Sequence, residues 1–263
     1  MSEARRRLYR SEGIVIRRID LGETDRILTL FTPERGKLRV VAKGVRRPGS
    51  RLAGHVELLS YSTFLIARGR SLDIVTQAQT VQAFSFLRQN LERIGWGCYL
   101  AEMSDRMAPE QAENYPAFEL LLEALDYLDQ GRSPEMIARG FEMHLLGYMG
   151  YRPQIFRCVA CEEDLEPREH VFSATRGGVL CPRCREQDRR ARPISLEALK
   201  VLRYIQRNGL AEVERLQLGS GCRQEVEDVL YLYIRTILER ELNAVGFLDT
   251  LHRVRSPKMR GET

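Results

Sequence analysis

Four of the six cysteines in this chain stand in two tight pairs, Cys158-Val-Ala-Cys161 and, nineteen residues further on, Cys181-Pro-Arg-Cys184. Each Cys-x-x-Cys pair turns two sulfurs the same way. Two such pairs complete a tetrahedral zinc site with Zn–S distances of ~2.3 Å. Four thiolates saturate the metal, so a site of this kind orders a module and has no position left to activate water. Between the pairs, His170-Val-Phe-Ser-Ala174 and Gly178-Val-Leu-Cys181 read as a hairpin closed by Thr175-Arg-Gly-Gly178, the usual body of a zinc ribbon. His170 could replace a thiolate, but four cysteines in register make it superfluous. Disulfides are the other use of such pairs. The basic start Met1-Ser-Glu-Ala-Arg-Arg-Arg7 has no apolar stretch behind it and no apolar run is long enough to span a membrane, so a cytoplasmic chain with reduced thiols is expected. Cys98 and Cys222 lie apart and read as small buried residues.

Upstream, the pattern is that of strands. Gly13–Ile19, Arg26–Thr32, Lys37–Lys43, Val56–Ala67 and Leu72–Ala78 are rich in apolar and β-branched residues, and Pro33-Glu-Arg-Gly36 supplies a turn. In the third, Leu38, Val40 and Ala42 alternate with Lys37, Arg39 and Lys43, which predicts an apolar and a basic face. Five short strands with a Gly-rich loop after the third fit a small closed barrel. An OB-type barrel suits the pattern, and an SH3-like barrel has a similar strand count.

The net charge of +5 is mild but unevenly spread. Residues 1–80 carry 16 basic and 8 acidic side chains, whereas residues 81–150 carry 5 and 11. The interval 35–54 holds Arg35, Lys37, Arg39, Lys43, Arg46, Arg47 and Arg51 and no acid. Three lie on one strand face and three on the loop after it, which is expected to be flexible. Such a surface can track a phosphate backbone. Tyr9, Phe31, Tyr61 and Phe64 are the barrel aromatics that could stack on bases, although each reads first as core.

From Thr80 the apolar period becomes helical, through Phe84, Leu87, Leu91, Ile94, Tyr99 and Met103, with Gly95-Trp-Gly97 as a kink. Asn114 with Pro116, and Ser133 with Pro134, open two further helices. After the cysteines, Arg185–Arg192, broken by Glu186 and Asp188, reads as a basic linker, with a second phosphate contact as the alternative. Ser195 caps a helix reaching Gly209, a short helical piece covers Glu212–Leu218, and Gly219-Ser-Gly221 breaks the chain before the helix of Val226–Leu238. Phe247, Leu248 and Leu251 are expected to fold back on that helix, and the tail from Arg253 to be disordered. No nucleotide-binding glycine loop, nucleophile elbow or His-Glu-x-x-His metal motif is present, so no enzyme is expected.

Several segments together resemble the RecO family of bacterial DNA-repair recombination mediators. They are Glu12-Gly-Ile-Val-Ile-Arg-Arg18, Leu21-Gly-Glu-Thr-Asp-Arg-Ile-Leu-Thr-Leu-Phe-Thr-Pro33, Leu38-Arg-Val-Val-Ala-Lys-Gly-Val-Arg-Arg-Pro-Gly-Ser-Arg51 and Leu145-Leu-Gly-Tyr-Met-Gly-Tyr-Arg-Pro153, followed by the cysteine pairs. The likeness runs over roughly residues 8–251. It implies an α+β multidomain chain: an N-terminal OB-fold barrel, and a C-terminal α-helical domain with an inserted four-cysteine zinc module. The expected bounds are 1–80 for the DNA-binding barrel, 81–154 and 193–252 for the helical domain, 155–192 for the zinc module and 253–263 for the tail. The resemblance also implies binding of single- and double-stranded DNA and strand annealing. It implies work with the partner RecR in loading RecA onto DNA coated by single-strand-binding protein, whose acidic C-terminal tail docks on the helical domain. Cytoplasmic, nucleoid-associated placement follows. The family's DNA contacts on the barrel match Lys37, Arg39, Lys43, Arg46, Arg47 and Arg51. A zinc-ribbon transcription or RNA-binding factor is the competing reading of the same cysteines and basic run.

Overall fold

The computed structural model describes residues 8–238. The expected fold-back at Phe247, Leu248 and Leu251 and the tail 253–263 lie outside them. Two compact units divide at Gly131/Arg132, inside the helical stretch 81–154.

The first unit is built on a closed five-stranded barrel: β1 (Leu8–Leu21), β2 (Asp25–Thr32), β3 (Gly36–Ala42), β4 (Tyr61–Ala67) and β5 (Asp73–Gln82). The strand order is β1-β2-β3-β5-β4, antiparallel except for the short parallel pairing of Val40 and Val41 with Asp73 and Ile74. This is the OB-like connectivity. β1 is long enough to serve two neighbours, pairing its first half with β4 and its second with β2, and its register shifts between Val15 and Arg17. Gly13 makes the bend possible, since a Cβ there would stand 2.9 Å from the Phe31 carbonyl oxygen. The expected apolar face of β3 holds: Leu38, Val40 and Ala42 join Val15, Leu28, Leu30, Phe64, Ile66 and Val75 in the core, although Val41 on the other face is buried as well.

Three boundaries differ from expectation. Val56–Ser60 is not strand; Val56 is buried, but Leu59 adopts φ +64°, a left-handed conformation that ends any pleat. β5 continues to Gln82, past the expected onset of helix. The first helix, α1 (Leu91–Met107), begins only at Leu91, capped by Asn90, whose side chain accepts the Arg93 N–H at 3.1 Å. It then runs through Gly95-Trp-Gly97 without interruption. Asn114 caps α2 (Tyr115–Asp129) as expected, accepting from the Ala117 N–H. Phe118 of α2 packs on the rings of Phe31 and Tyr61, at centroid distances of 6.3 and 5.9 Å. Those two barrel aromatics, and the buried Phe64, are therefore packing residues.

The second unit contains α3 (Pro134–Tyr148), a small sheet, α4 (Leu196–Arg207), the single turn α5 (Leu210–Val213) and α6 (Ser220–Leu238). The hairpin β6 (His170–Ser173) and β7 (Gly178–Leu180) forms as expected. A third strand, β8 (Arg192–Ile194), pairs with β6, so the basic run after Cys184 ends in sheet and is not a free linker. The break at Gly219 is real, but Ser220 and Gly221 already belong to α6. Phe172 of β6 meets Tyr233 of α6 edge-on at 5.6 Å, and the Tyr233 hydroxyl donates to the Tyr151 carbonyl at 3.0 Å, fixing the sheet on the helices.

Candidate metal centre and nucleic-acid interface

The thiol sulfurs of Cys158, Cys161, Cys181 and Cys184 lie within 4.8 Å of one another. Cys161 Sγ and Cys181 Sγ are 3.8 Å apart, far beyond a disulfide bond. A regular tetrahedron with metal–sulfur distances of ~2.3 Å would place its sulfurs ~3.8 Å apart. Backbone bonds shape the site. The Cys181 N–H donates to Cys158 Sγ, Glu162 N–H to the Cys158 carbonyl, and Val159 N–H to the Val179 carbonyl of β7. Burial opposes ionisation of Cys158, but N–H groups of Cys181, Cys161 and Ala160 aimed at its sulfur outweigh it and lower its thiol to about 6. Burial and hydrogen bonds with the other three thiols push Cys184 up to about 12, and Cys161 is raised as well. Several thiolates this close repel one another unless a cation stands among them, so the four cysteines fit a bound divalent metal. His170 is no ligand in this cluster; it is buried in β6, with Nε2 2.8 Å from the Glu166 carbonyl oxygen.

The seven basic residues of 35–54 have different surroundings. Lys43, Arg46 and Arg47 come together at the end of β3, beside the β1–β2 turn. Asp25 organises them: its Oδ1 accepts the Gly44 N–H at 2.7 Å and the Thr24 hydroxyl at 2.9 Å. These two bonds, with the charges of Lys43 and Arg47, hold its carboxyl below the ordinary range. The Arg46 N–H donates to the Thr24 carbonyl, and its guanidinium reaches the Gly22 carbonyl at 3.2 Å and Asp20 at 3.4 Å. Val45 is buried in the barrel core. Successive turns follow, with Arg47 N–H donating to Gly44, Ser50 to Arg47, Ala53 to Ser50 and His55 to Leu52. The loop is thus hydrogen-bonded along its length, and its apolar residues Val45, Leu52 and Ala53 pack on the barrel core.

Arg39, opposite Thr29 on β2, is exposed and forms no ion pair among the described residues. Lys37, expected on the same face, points instead to α1. Its ammonium bonds to the Asp105 carbonyl and stands 3.5 Å from the Asp105 carboxylate, leaving the side chain only 15% exposed. Arg35, at the far end of β3, lies over the Tyr9 ring at 4.7 Å. Arg51 lines a cleft of about 870 Å³ whose walls include Arg10, His55 and Gln79.

Arg68 and Arg10 escaped the sequence reading because they stand outside the acid-free interval. Arg68, in the β4–β5 loop, approaches Tyr9 at 5.9 Å from its centroid, so two cations share one ring. The Tyr9 hydroxyl donates to Asp73 at 2.6 Å, and burial together with that carboxylate raises its pKa far above the usual range. In OB-folds the β2–β3 face and the loops after β1 and β4 are the usual oligonucleotide-binding parts; here Arg39 stands on β3 and Arg68 and Arg70 in the loop after β4, whereas Lys43, Arg46, Arg47 and Arg51 stand on the loop after β3.

Two family models together match almost all of the chain: that described as Recombination protein O N terminal over residues 6–84, and that described as Recombination protein O C terminal over residues 88–245. The chain belongs to the RecO family. Among its relatives, the DNA repair protein RecO of Roseiflexus sp. (strain RS-1) is 45% identical over 250 residues, covering 95% of this chain and 88% of the relative. The RecO of Dehalococcoides mccartyi (strain BAV1) is 38% identical, covering 92% and 96%, and that of Symbiobacterium thermophilum 35%, covering 94% and 99%. The first RecO model ends two residues beyond β5, so its match takes in the whole barrel. Among the described residues no helix is long and apolar enough to cross a membrane.

Proposed function

We propose that the chain is a non-catalytic recombination mediator that binds single- and double-stranded DNA on its barrel and anneals complementary strands. With RecR, it promotes loading of RecA onto DNA coated by single-strand-binding protein, whose acidic tail docks on the helices. One observation carries the DNA-binding part of this reading: three exposed cationic side chains, Lys43, Arg46 and Arg47, on a loop tied down by Asp25. A pre-ordered cationic loop loses little entropy on meeting a phosphate backbone. By neutralising phosphates it lowers the repulsion between two strands and lets bases pair. Arg35 and Arg51 extend the surface, while Lys37 serves the packing of α1 on β3. Zinc is the metal we assign to the four cysteines; it supplies four coordinate bonds and a fixed geometry.

The test is strand annealing by wild type and by Lys43→Ala/Arg46→Ala/Arg47→Ala. The triple variant is expected to anneal at a rate reduced about tenfold or more, with an unchanged circular-dichroism spectrum. Contact with about five phosphates of a single strand gives log K falling against log salt with a slope near −3.5, and the triple variant should lose roughly 2 of that slope. Normal annealing by the variant, or a salt-independent affinity in wild type, overturns the assignment.

A further inference from the structure

The second unit carries a cationic surface of its own. The segment leaving α3 crosses the last turns of α4 and is bonded to it three times. Arg152 donates to the Gln206 carbonyl at 3.3 Å, Gln206 Nε2 donates to the Pro153 carbonyl at 2.9 Å, and Arg203 Nε donates to the Ile155 carbonyl at 2.8 Å. This brings Phe156 under two guanidinium groups, Arg207 at 4.3 Å and Arg203 at 5.3 Å from the ring centroid. Lys200 and Tyr204 lie exposed on the same helix, and Arg152 is exposed beside it.

Four positive side chains, Arg152, Lys200, Arg203 and Arg207, thus share one small surface, and none forms an ion pair among the described residues. Burial and the charge of Arg207 lower the pKa of Arg203, so its charged neighbour is another cation. The C-terminal end of α4 offsets this only in part, since a helix end carries about half an elementary charge. The clustering is therefore electrostatically unfavourable until an anion arrives.

The chemistry of the surroundings narrows the anion. Arg203 and Arg207 are one turn apart, so their side chains are spaced ~6 Å along the helix, comparable to the step between neighbouring phosphates of an extended strand. Both guanidinium groups lie near the Phe156 ring, and arginine guanidinium planes are groups on which bases stack. The exposed large apolar side chains of this unit, among the described residues, are Tyr148, Tyr151 and Tyr204, all aromatic and none aliphatic. An aromatic and arginine surface without an aliphatic groove suits single-stranded nucleic acid better than a peptide anchored by apolar side chains.

We propose that the α4 surface around Phe156, Arg203 and Arg207 is a second binding site for single-stranded nucleic acid, separate from the barrel. The inference rests on the reading of the chain as a DNA-binding mediator and adds where a second strand is held. A protein with two such sites raises the local concentration of one strand near another, which is what annealing requires.

The test is a low-salt titration of the full chain with a labelled oligothymidylate about eight nucleotides long, short enough to occupy one site. Wild type is expected to bind two per chain, Arg203→Ala/Arg207→Ala one, and Lys43→Ala/Arg46→Ala/Arg47→Ala one. For a longer strand that spans both sites, the double variant should lose about 1.4 of the salt slope. A wild-type stoichiometry of one, or two oligonucleotides on the double variant with an unchanged slope, overturns the proposal. So does a double variant that keeps both oligonucleotides and loses only an aspartate-rich peptide, which would make the surface a peptide site. If the double variant falls to one while the barrel triple variant keeps two, the second site stands and the barrel reading fails. Should the alanine pair unfold the unit, Arg203→Gln/Arg207→Gln, checked for wild-type metal content, gives the same discrimination.

Discussion

Asp25 sets the shape of the basic loop although it lies on another strand and has the opposite charge. Its carboxylate accepts the Gly44 N–H at 2.7 Å, and Gly44 turns with φ +62° to present it. Two effects of removing it oppose each other. Asp25→Ala frees the loop, but it also deletes a negative charge from among Lys43 and Arg47. Asp25→Asn deletes the charge and keeps an oxygen acceptor. If loop order governs binding, Asp25→Ala weakens single-strand affinity and speeds amide exchange at Gly44 and Arg46, while Asp25→Asn binds at least as tightly as wild type. Anisotropy titrations read alongside hydrogen exchange decide the matter; an alanine variant that binds as tightly as the asparagine variant would show that charge alone matters. The pH dependence follows from the same contacts. The folded-state pKa of Asp25 is depressed, so its stabilisation of the loop is complete above its unfolded value of ~3.9 and is lost as pH falls through the lower folded value. The protection factor of the Gly44 amide, its exchange taken relative to the intrinsic rate at each pH, should therefore fall on acidification below about pH 4 in wild type and not in Asp25→Ala. The cationic interval could be read in the sequence because its seven basic residues fall within one short stretch that holds no acid. The diversion of Lys37 to Asp105 could not, because its cause lies on α1, 68 positions away.

At the scale of elements, the glycines of α1 show how composition misleads. Gly95-Trp-Gly97 has the look of a kink, yet the helix is continuous, because Gly97 is needed for close approach. A Cβ there would stand 2.7 Å from Leu59 Cδ1 and 3.5 Å from Leu125 Cδ2. Gly147 of α3 is the contrasting case, since a Cβ added there meets nothing within 4 Å. Gly97→Ala gains about 1 kcal/mol in helix propensity but forces an overpacked contact costing about 1–3 kcal/mol, so a net loss of roughly 1 kcal/mol is expected. Gly147→Ala should be neutral or stabilising by up to ~1 kcal/mol. Chemical denaturation of the two variants checks the difference in sign. The same tertiary effects account for the misplaced strand and the missed one. Val56–Ser60 has the apolar content of a strand, but Leu59 must turn at φ +64° to reach its place beside Gly97. β8 contains Arg192 and Pro193, which locally argue against strand, and forms because β6 offers it an edge. The barrel and the cysteine hairpin were legible because each repeats one simple period over several residues, and α2 because its cap and apolar face agree.

For the whole molecule, the two units should respond differently to loss of metal. The barrel has a continuous apolar core from Val15 to Val75 and no need of a ligand. The cysteine module has strands of three or four residues, too short for a sheet to hold by itself, and its buried apolar side chains are few: Leu165, Phe172, Val179, Leu180 and Ile194. Structural zinc in small modules contributes roughly 10–16 kcal/mol of apparent binding free energy, far more than such a core supplies. Removing it also takes away the bonds that tie Cys158 and Cys161 to Cys181 and Cys184, whose sulfurs lie within 4.8 Å of one another. A strong chelator should therefore abolish amide protection through residues 158–194 while leaving the protection of β1–β5 intact. Metal content should be one ion per chain and should fall with Cys161→Ser, whose side chain supplies no thiolate. Barrel binding of single strands, read through the Lys43, Arg46 and Arg47 dependence, should survive chelation, whereas the contribution of Arg203 and Arg207 should weaken, because Phe156 lies two residues from Cys158. Hydrogen exchange followed by mass spectrometry, with and without chelator, separates these outcomes. Unchanged protection across 158–194 in metal-free protein would mean that the module folds on its own core and that the four cysteines serve some purpose other than holding it together.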